Sequence, residues 1–313
     1  MLQIRDILFP TDFSACANAA FPQALHLARR YHATIHMLHV APITGLHAVT
    51  EALEASLAEQ SVPDYVRDES NLQMDALIWG HDADDVPIKR VHLQHPAPGS
   101  VLLEYAKEHD LDLIVMGSHG RTGFRRLVLG SVAEEVIRHA ACPVLIVRQQ
   151  EGEAPGPITG RRLMVPLDFS PQAEHALRYA LDLAAAYDTG LDVVHVIDPG
   201  THLQEYAEEV AEHGTVLKKL IQEAHAVLER ITGEPGEPAV DVSYEVLVGY
   251  PPREITEFAL RNASGMIVMS SHGRTGKKSI LMGSVAEHVV RHAPCPVFIA
   301  RPFGKSLVRE TGA

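Results

Sequence analysis

A chain of 313 residues, 46% hydrophobic and 21% charged, is long enough for two domains with cores of their own, and its composition excludes a disordered or fibrous protein. The formal net charge of −13 at pH 7 opposes docking on polyanions, so neither nucleic acid nor an anionic membrane surface is an expected partner. There is no apolar run of membrane-spanning length and no signal-peptide pattern at the start, and the cysteines are an odd set, Cys16, Cys142 and Cys295; a reduced, cytoplasmic protein is expected.

In chain order, short β-branched runs bounded by turn residues predict strands at residues 4–9, 34–40, 86–93, 111–116 and 144–147. Between the first two lies a helical stripe of Ala17, Ala20, Phe21, Ala24, Leu25 and Ala28. Residues 41–85 are read as a helix over 49–60 followed by an irregular insert. Strands alternating with helices imply right-handed crossovers and a parallel sheet, with ligands bound where the winding reverses at the strands' carboxyl ends.

The second half repeats the first. Ile7-Leu8-Phe9-Pro10-Thr11-Asp12-Phe13-Ser14 returns as Leu163-Met164-Val165-Pro166-Leu167-Asp168-Phe169-Ser170, and His39-Val40 returns as His195-Val196. Ser118-His119-Gly120-Arg121-Thr122-Gly123 returns as Ser271-His272-Gly273-Arg274-Thr275-Gly276, and Arg138-His139 returns as Arg291-His292. The stripe recurs as Ala173, Ala176, Leu177, Ala180, Leu181 and Ala184, opened by Ser170 as a helix cap with Pro171 behind it. Domains are therefore expected over residues 1–148 and 161–303, with a Gly-, Pro- and Glu-rich linker over 149–160 and a tail over 304–313.

After the fourth strand, Gly117, Gly120 and Gly130-Ser131 frame a loop that leads into a helix. Glycines let backbone N–H groups close on an anion, the helix N-terminus favours negative charge, and Arg121, Arg125 and Arg126 bring cations to a chain that is acidic overall. A purely structural reading stands beside this one. Ser131 with Glu134, and Ser284 with Glu287, have the spacing of a capping box, and Asp12 could tie the turn before Ser14. His36 and His39 have opposite parity on their strand and read as hydrogen-bonded core histidines, while Cys142 and Cys295 read as buried packing residues; no metal site is expected.

The spacing Gly-x2-Gly-x9-Gly-Ser, with Pro10-Thr11-Asp12 at the first strand's end and Arg-His-Ala-x-Cys-Pro-Val near the end of each half, resembles the universal stress protein family over nearly the whole chain. The resemblance implies an α/β fold of two tandem doubly wound domains, each a five-stranded parallel sheet flanked by helices. It also implies that the two pair within the chain as a pseudo-dimer, and that whole chains form a homodimer. It implies ATP, with Mg2+ on the phosphates, held by Thr11, Asp12, Val40, Met116, Gly117, His119, Gly120, Arg121, Gly130, Ser131 and Val132. In the second half it implies Asp168, Val196, Ser270, Gly273, Gly283 and Ser284; Ser270 in place of a glycine predicts a weaker site where the position needs a positive φ or close phosphate approach and is harmless where only its amide is used at negative φ, and Leu167 in place of Thr11 removes a polar group near the nucleotide. The expected function is an ATP-binding stress-response protein, a nucleotide sensor or buffer with at most slow hydrolysis. The alternatives are an interaction module for another small ligand and an adenylyl-transferring or ATP-hydrolysing enzyme of the same superfamily; no catalytic residues are assigned.

Overall fold

A computed structural model describes residues 2–41, 62–120, 129–148, 158, 160–200, 221–224, 226–227, 240–273 and 282–307. The chain divides into two compact units, residues 3–157 and residues 158–313, with residues 1–2 counted in the second. The expected helix over 49–60 and most of the linker lie outside the described residues.

In the first unit the elements run β1 (Asp6–Pro10), α1 (Ala15–Asn18), α2 (Phe21–Tyr31), β2 (Thr34–Ala41), α3 (Val62–Trp79), β3 (Ile88–Gln94), α4 (Pro98–Glu108), β4 (Leu113–Gly117), α5 (Ser131–His139) and β5 (Val144–Val147). All five strands predicted there are found, with most ends displaced by one or two residues. They pair in parallel in the order β3-β2-β1-β4-β5, with Ile7 facing Ile35 on one side and Leu113 on the other. The winding reverses between β1 and β4, so their carboxyl ends open a crevice. Ile7, Leu8, Phe9, Ile35, Leu113, Ile114 and Val115 are all wholly buried, which is why these strands read as continuous apolar runs.

Two expectations are corrected here. The first helical stripe is broken, since α1 ends at Asn18 and α2 starts at Phe21. Pro22 is the cause: it has no N–H to give the Asn18 carbonyl, and its ring crowds that group. Residues 62–79, expected as part of an irregular insert, form α3, whose Ser70, Met74, Leu77 and Ile78 are buried at helical spacing.

The second unit runs β6 (Leu163–Pro166), α6 (Pro171–Ala186), β7 (Leu191–Ile197), β8 (Val242–Val248), α7 (Pro251–Arg261), β9 (Met266–Ser270), α8 (Ser284–His292) and β10 (Val297–Ala300). Its parallel order is β10-β9-β6-β7-β8, the same winding, with the reversal between β6 and β9. Arg178 stands where Pro22 stands in the first half, and α6 runs unbroken from its Ser170 cap, whose hydroxyl accepts from the Ala173 N–H at 3.2 Å.

Candidate functional site: two crevices at the sheet rims

At the end of β1 the chain turns sharply. Asp12 Oδ1 accepts from the Ser14 N–H at 3.0 Å, and Thr11 Oγ1 accepts from the Phe13 N–H at 2.9 Å while donating to Asn18 Oδ1 at 3.1 Å. Phe13 sits between them at φ 63°, a left-handed conformation costly for a bulky residue. Its ring packs on His39, centroids 4.6 Å apart, and His39 Nδ1 donates to the Thr11 carbonyl at 2.8 Å. A carbonyl can only accept, so the proton of this imidazole is fixed on Nδ1. The second half repeats the clamp: Phe169 at φ 60°, stacked on His195 at 4.2 Å, with Nδ1 of His195 2.7 Å from the Leu167 carbonyl.

The glycine loop begins where β4 ends. Its mouth is closed by the Gly130 N–H donating to the Ser118 carbonyl at 2.9 Å, and in the second half by Gly283 donating to Ser271 at 2.9 Å. Gly120 lies against the carboxylate of Asp12, and Gly273 against that of Asp168; a Cβ at either glycine would collide with Oδ2. The Asp12 carboxylate thus ties its own turn through one oxygen and lies against the loop through the other.

Gly117 lies close against α1. It does not adopt a positive φ; what requires glycine is α1, because a Cβ there would stand 2.5 Å from the Cys16 carbonyl oxygen and 2.9 Å from Ala17 Cα. The second half carries Ser270 at this position, and Ser270 Oγ accepts from the His272 N–H at 3.3 Å. The positive φ that would penalise a serine here is thus absent in the first half. At the position of Leu167, the Thr11 hydroxyl is used inside the turn, and its partner Asn18 is replaced together with it, by Glu174.

The helix behind the loop is open at its N-terminus. The N-cap of α5 is Gly130, with φ −65° and ψ 146°, and no side chain caps it; the N-cap of α8 is Gly283 in the same conformation. The capping-box reading is thereby corrected, since Ser131 and Ser284 sit one residue inside their helices and are exposed. Glu134 pairs with Arg138 at 2.9 Å and Glu287 with Arg291 at 3.1 Å, on the turn that follows. Uncapped first-turn amides and the helix dipole leave a place for an anion.

These pieces enclose a cavity of about 320 Å³ in the first half. Thr11, Asp12, Val40, Met116, Gly117, His119, Gly120, Gly130, Ser131 and Val132 all line it, while Arg121, with Arg125 and Arg126, falls outside the described residues. The second half has a cavity of about 260 Å³, lined by Asp168, Val196, Ser270, Gly273, Gly283 and Ser284. The sequence reading does not single out the apolar wall facing the strands, Pro98 and Leu102 in the first cavity and Pro251 and Ile255 in the second. A signal was present: Pro98 and Pro251 are related by the same offset as the two glycine loops.

The loop histidines are held by their neighbours, His119 Nδ1 at 2.8 Å from Ser118 Oγ and His272 Nδ1 at 2.9 Å from Ser271 Oγ. Burial, and next Arg148, hold His119 below the usual imidazole range, so it is neutral at neutral pH. His36 is hydrogen-bonded to Tyr105 Oη at 2.8 Å, and burial followed by Lys89 lowers its pKa although Asp6 opposes them. Cys142 and Cys295 are buried, as expected of packing residues.

Comparisons with known proteins bear on the family and the fold. The model of the universal stress protein family matches residues 3–148 and 160–301. A universal stress protein of Mycolicibacterium smegmatis is 26% identical over 95% of this chain and 97% of its own. One of Mycobacterium tuberculosis is 32% identical over 65% of this chain, the match spanning 66% of that relative's length. A crystal structure of a universal stress protein from Archaeoglobus fulgidus, 21% identical, superposes with a TM-score of 0.65 over 95% of this chain and 98% of its own, which shows the shared fold. The chain belongs to the universal stress protein family and carries two of its domains in tandem.

Proposed function

We propose that this chain is an ATP-binding stress-response protein, a nucleotide sensor or buffer with at most slow hydrolysis. The observation that carries the reading is the meeting of ten residues named for nucleotide contact, drawn from four separated stretches of sequence, around one cavity at the switch point of the first sheet. In this reading the apolar wall of Val40, Pro98, Leu102 and Met116 holds adenine, and Asp12 accepts from the ribose. The amides of Gly120 and of the first turn of α5 receive the phosphates, which bring Mg2+ with them. The second crevice repeats the frame and is read as a nucleotide site as well. A cytoplasmic location and association of two chains belong to the same reading.

The purified chain incubated with Mg-ATP is expected to retain nucleotide and to release ADP slowly or not at all. AMP with pyrophosphate would replace this reading with adenylyl transfer, and a chain that retains no nucleotide would remove it.

A further inference from the structure

His288 and His292 lie one turn apart on α8, and their rings stack with centroids 4.1 Å apart and planes 24° apart. His292 Nδ1 lies 2.8 Å from the His288 carbonyl oxygen. A carbonyl only accepts, so the proton of this imidazole is on Nδ1 and the lone pair of Nε2 is open. A backbone carbonyl behind the far nitrogen is the usual support of a metal-ligating histidine. His292 is exposed and His288 half-buried, and no hydrogen bond holds the His288 ring among the described residues.

The first half carries a different pair at this place, Glu135 and His139, at the same offset as the two glycine loops. Glu135 lies against Gly99 at the start of α4, where a Cβ would collide with its carboxylate. The second half has Pro252 in place of that glycine, at the start of α7, and His288 in place of the glutamate. Carboxylate and glycine are thus exchanged together, and the imidazole that replaces the carboxylate stacks on His292.

Histidines four apart share one helix face, the spacing by which a helix presents two imidazole nitrogens to one ion. With each nitrogen about 2.1 Å from the ion, the ring centres of two adjacent ligands stand about 4.5–5 Å apart, so the stacked pair need part by less than about 1 Å. Imidazole suits Zn2+, Ni2+ and Cu2+, and the chain's net charge of −13 favours a cation at its surface. Among the described residues no three histidine, cysteine or carboxylate side chains gather as a metal cage, so the protein supplies two ligands here.

We propose that His288 and His292 form a two-nitrogen chelate on α8 for a divalent transition-metal ion that prefers imidazole, with the ion's remaining positions open to water or to an incoming ligand. The inference stands apart from the nucleotide reading of the crevices.

The test is calorimetric titration of the full chain with Zn2+, without added nucleotide. One Zn2+ per chain is expected at the tightest step. His288→Gln and His292→Gln are each expected to weaken that step about 10-fold or more, because a single imidazole loses the second, pre-positioned donor. His139→Gln, which alters the matched histidine of the first half, should leave it unchanged. Thermal melts without metal show whether each variant folds; if His288→Gln folds poorly, the exposed His292→Gln carries the test. Uptake indifferent to the substitutions on α8, equal loss in His139→Gln, or no Zn2+ uptake at all would overturn the inference.

Discussion

The first and second crevices are the same frame with different fillings, and the pattern of change separates what the frame needs from what it tolerates. Asp12 and Asp168, Gly120 and Gly273, and Gly130 and Gly283 occupy matched places: a Cβ at Gly120 or Gly273 would run into the aspartate carboxylate, and the Gly130 and Gly283 amides each donate to the serine carbonyl that closes the loop's mouth. Gly117 and Ser270 differ at a matched place: a Cβ at Gly117 would meet the Cys16 carbonyl of α1, whereas the second half carries one, with the Ser270 hydroxyl accepting from the His272 N–H. Thr11 and Asn18 change together to Leu167 and Glu174, as the members of a hydrogen-bonded pair should.

The largest expected effects break the frame at one crevice and leave the other intact. Gly120→Val drives a side chain into the Asp12 carboxylate and is expected to lower nucleotide affinity at the first crevice about 100-fold or more, while Gly273→Val does the same at the second. Both should be read by calorimetry beside a thermal melt. Loss of folding in place of binding would mean that these glycines serve the turn alone.

A smaller effect, on stability, distinguishes the two roles of the loop's first residue. Gly117→Ser is expected to cost about 1–3 kcal/mol, because the Cys16 carbonyl and Ala17 must retreat. Ser270→Gly should change stability by about 1 kcal/mol at most and leave nucleotide uptake at the second crevice unchanged. If Gly117→Ser left the melting temperature untouched but removed nucleotide, the glycine would be a phosphate contact after all.

Acid should sharpen the comparison least. Burial lowers the pKa of His36, His92 and His119 in the first half and of His175 and His288 in the second. The unfolded chain protonates these groups near pH 6.5, so the stability they contribute is complete above about that pH. It is lost as the pH falls through it toward the lowered values of the folded state. Thermal unfolding followed from about pH 7.5 to about pH 5.5 should show a falling midpoint, with a weaker fall in His36→Gln. A midpoint that rises on acidification would contradict this sign.

Much of this architecture is legible in the sequence, because duplication prints every structural requirement twice. The aspartate at the first strand's end, the glycine spacing and the five strands of the first unit are read there. What escapes is set by contacts between distant segments. The N-cap position depends on the Gly130 amide reaching the Ser118 carbonyl, and the need for Gly117 depends on where α1 lands. The left-handed Phe13 is tolerated because His39 receives its ring. The break at Pro22 was readable from proline chemistry alone, whereas the apolar stripe across it pointed to one continuous helix.

The most direct test of the central claim is a crystal structure of the full chain grown with Mg-ATP. The account predicts a triphosphate in the first crevice lying over Gly120 and the first turn of α5, with the ribose beside Asp12 and the adenine against Pro98 and Leu102. A nucleotide found elsewhere on the chain, or a well-ordered first crevice empty at saturating Mg-ATP, would contradict it.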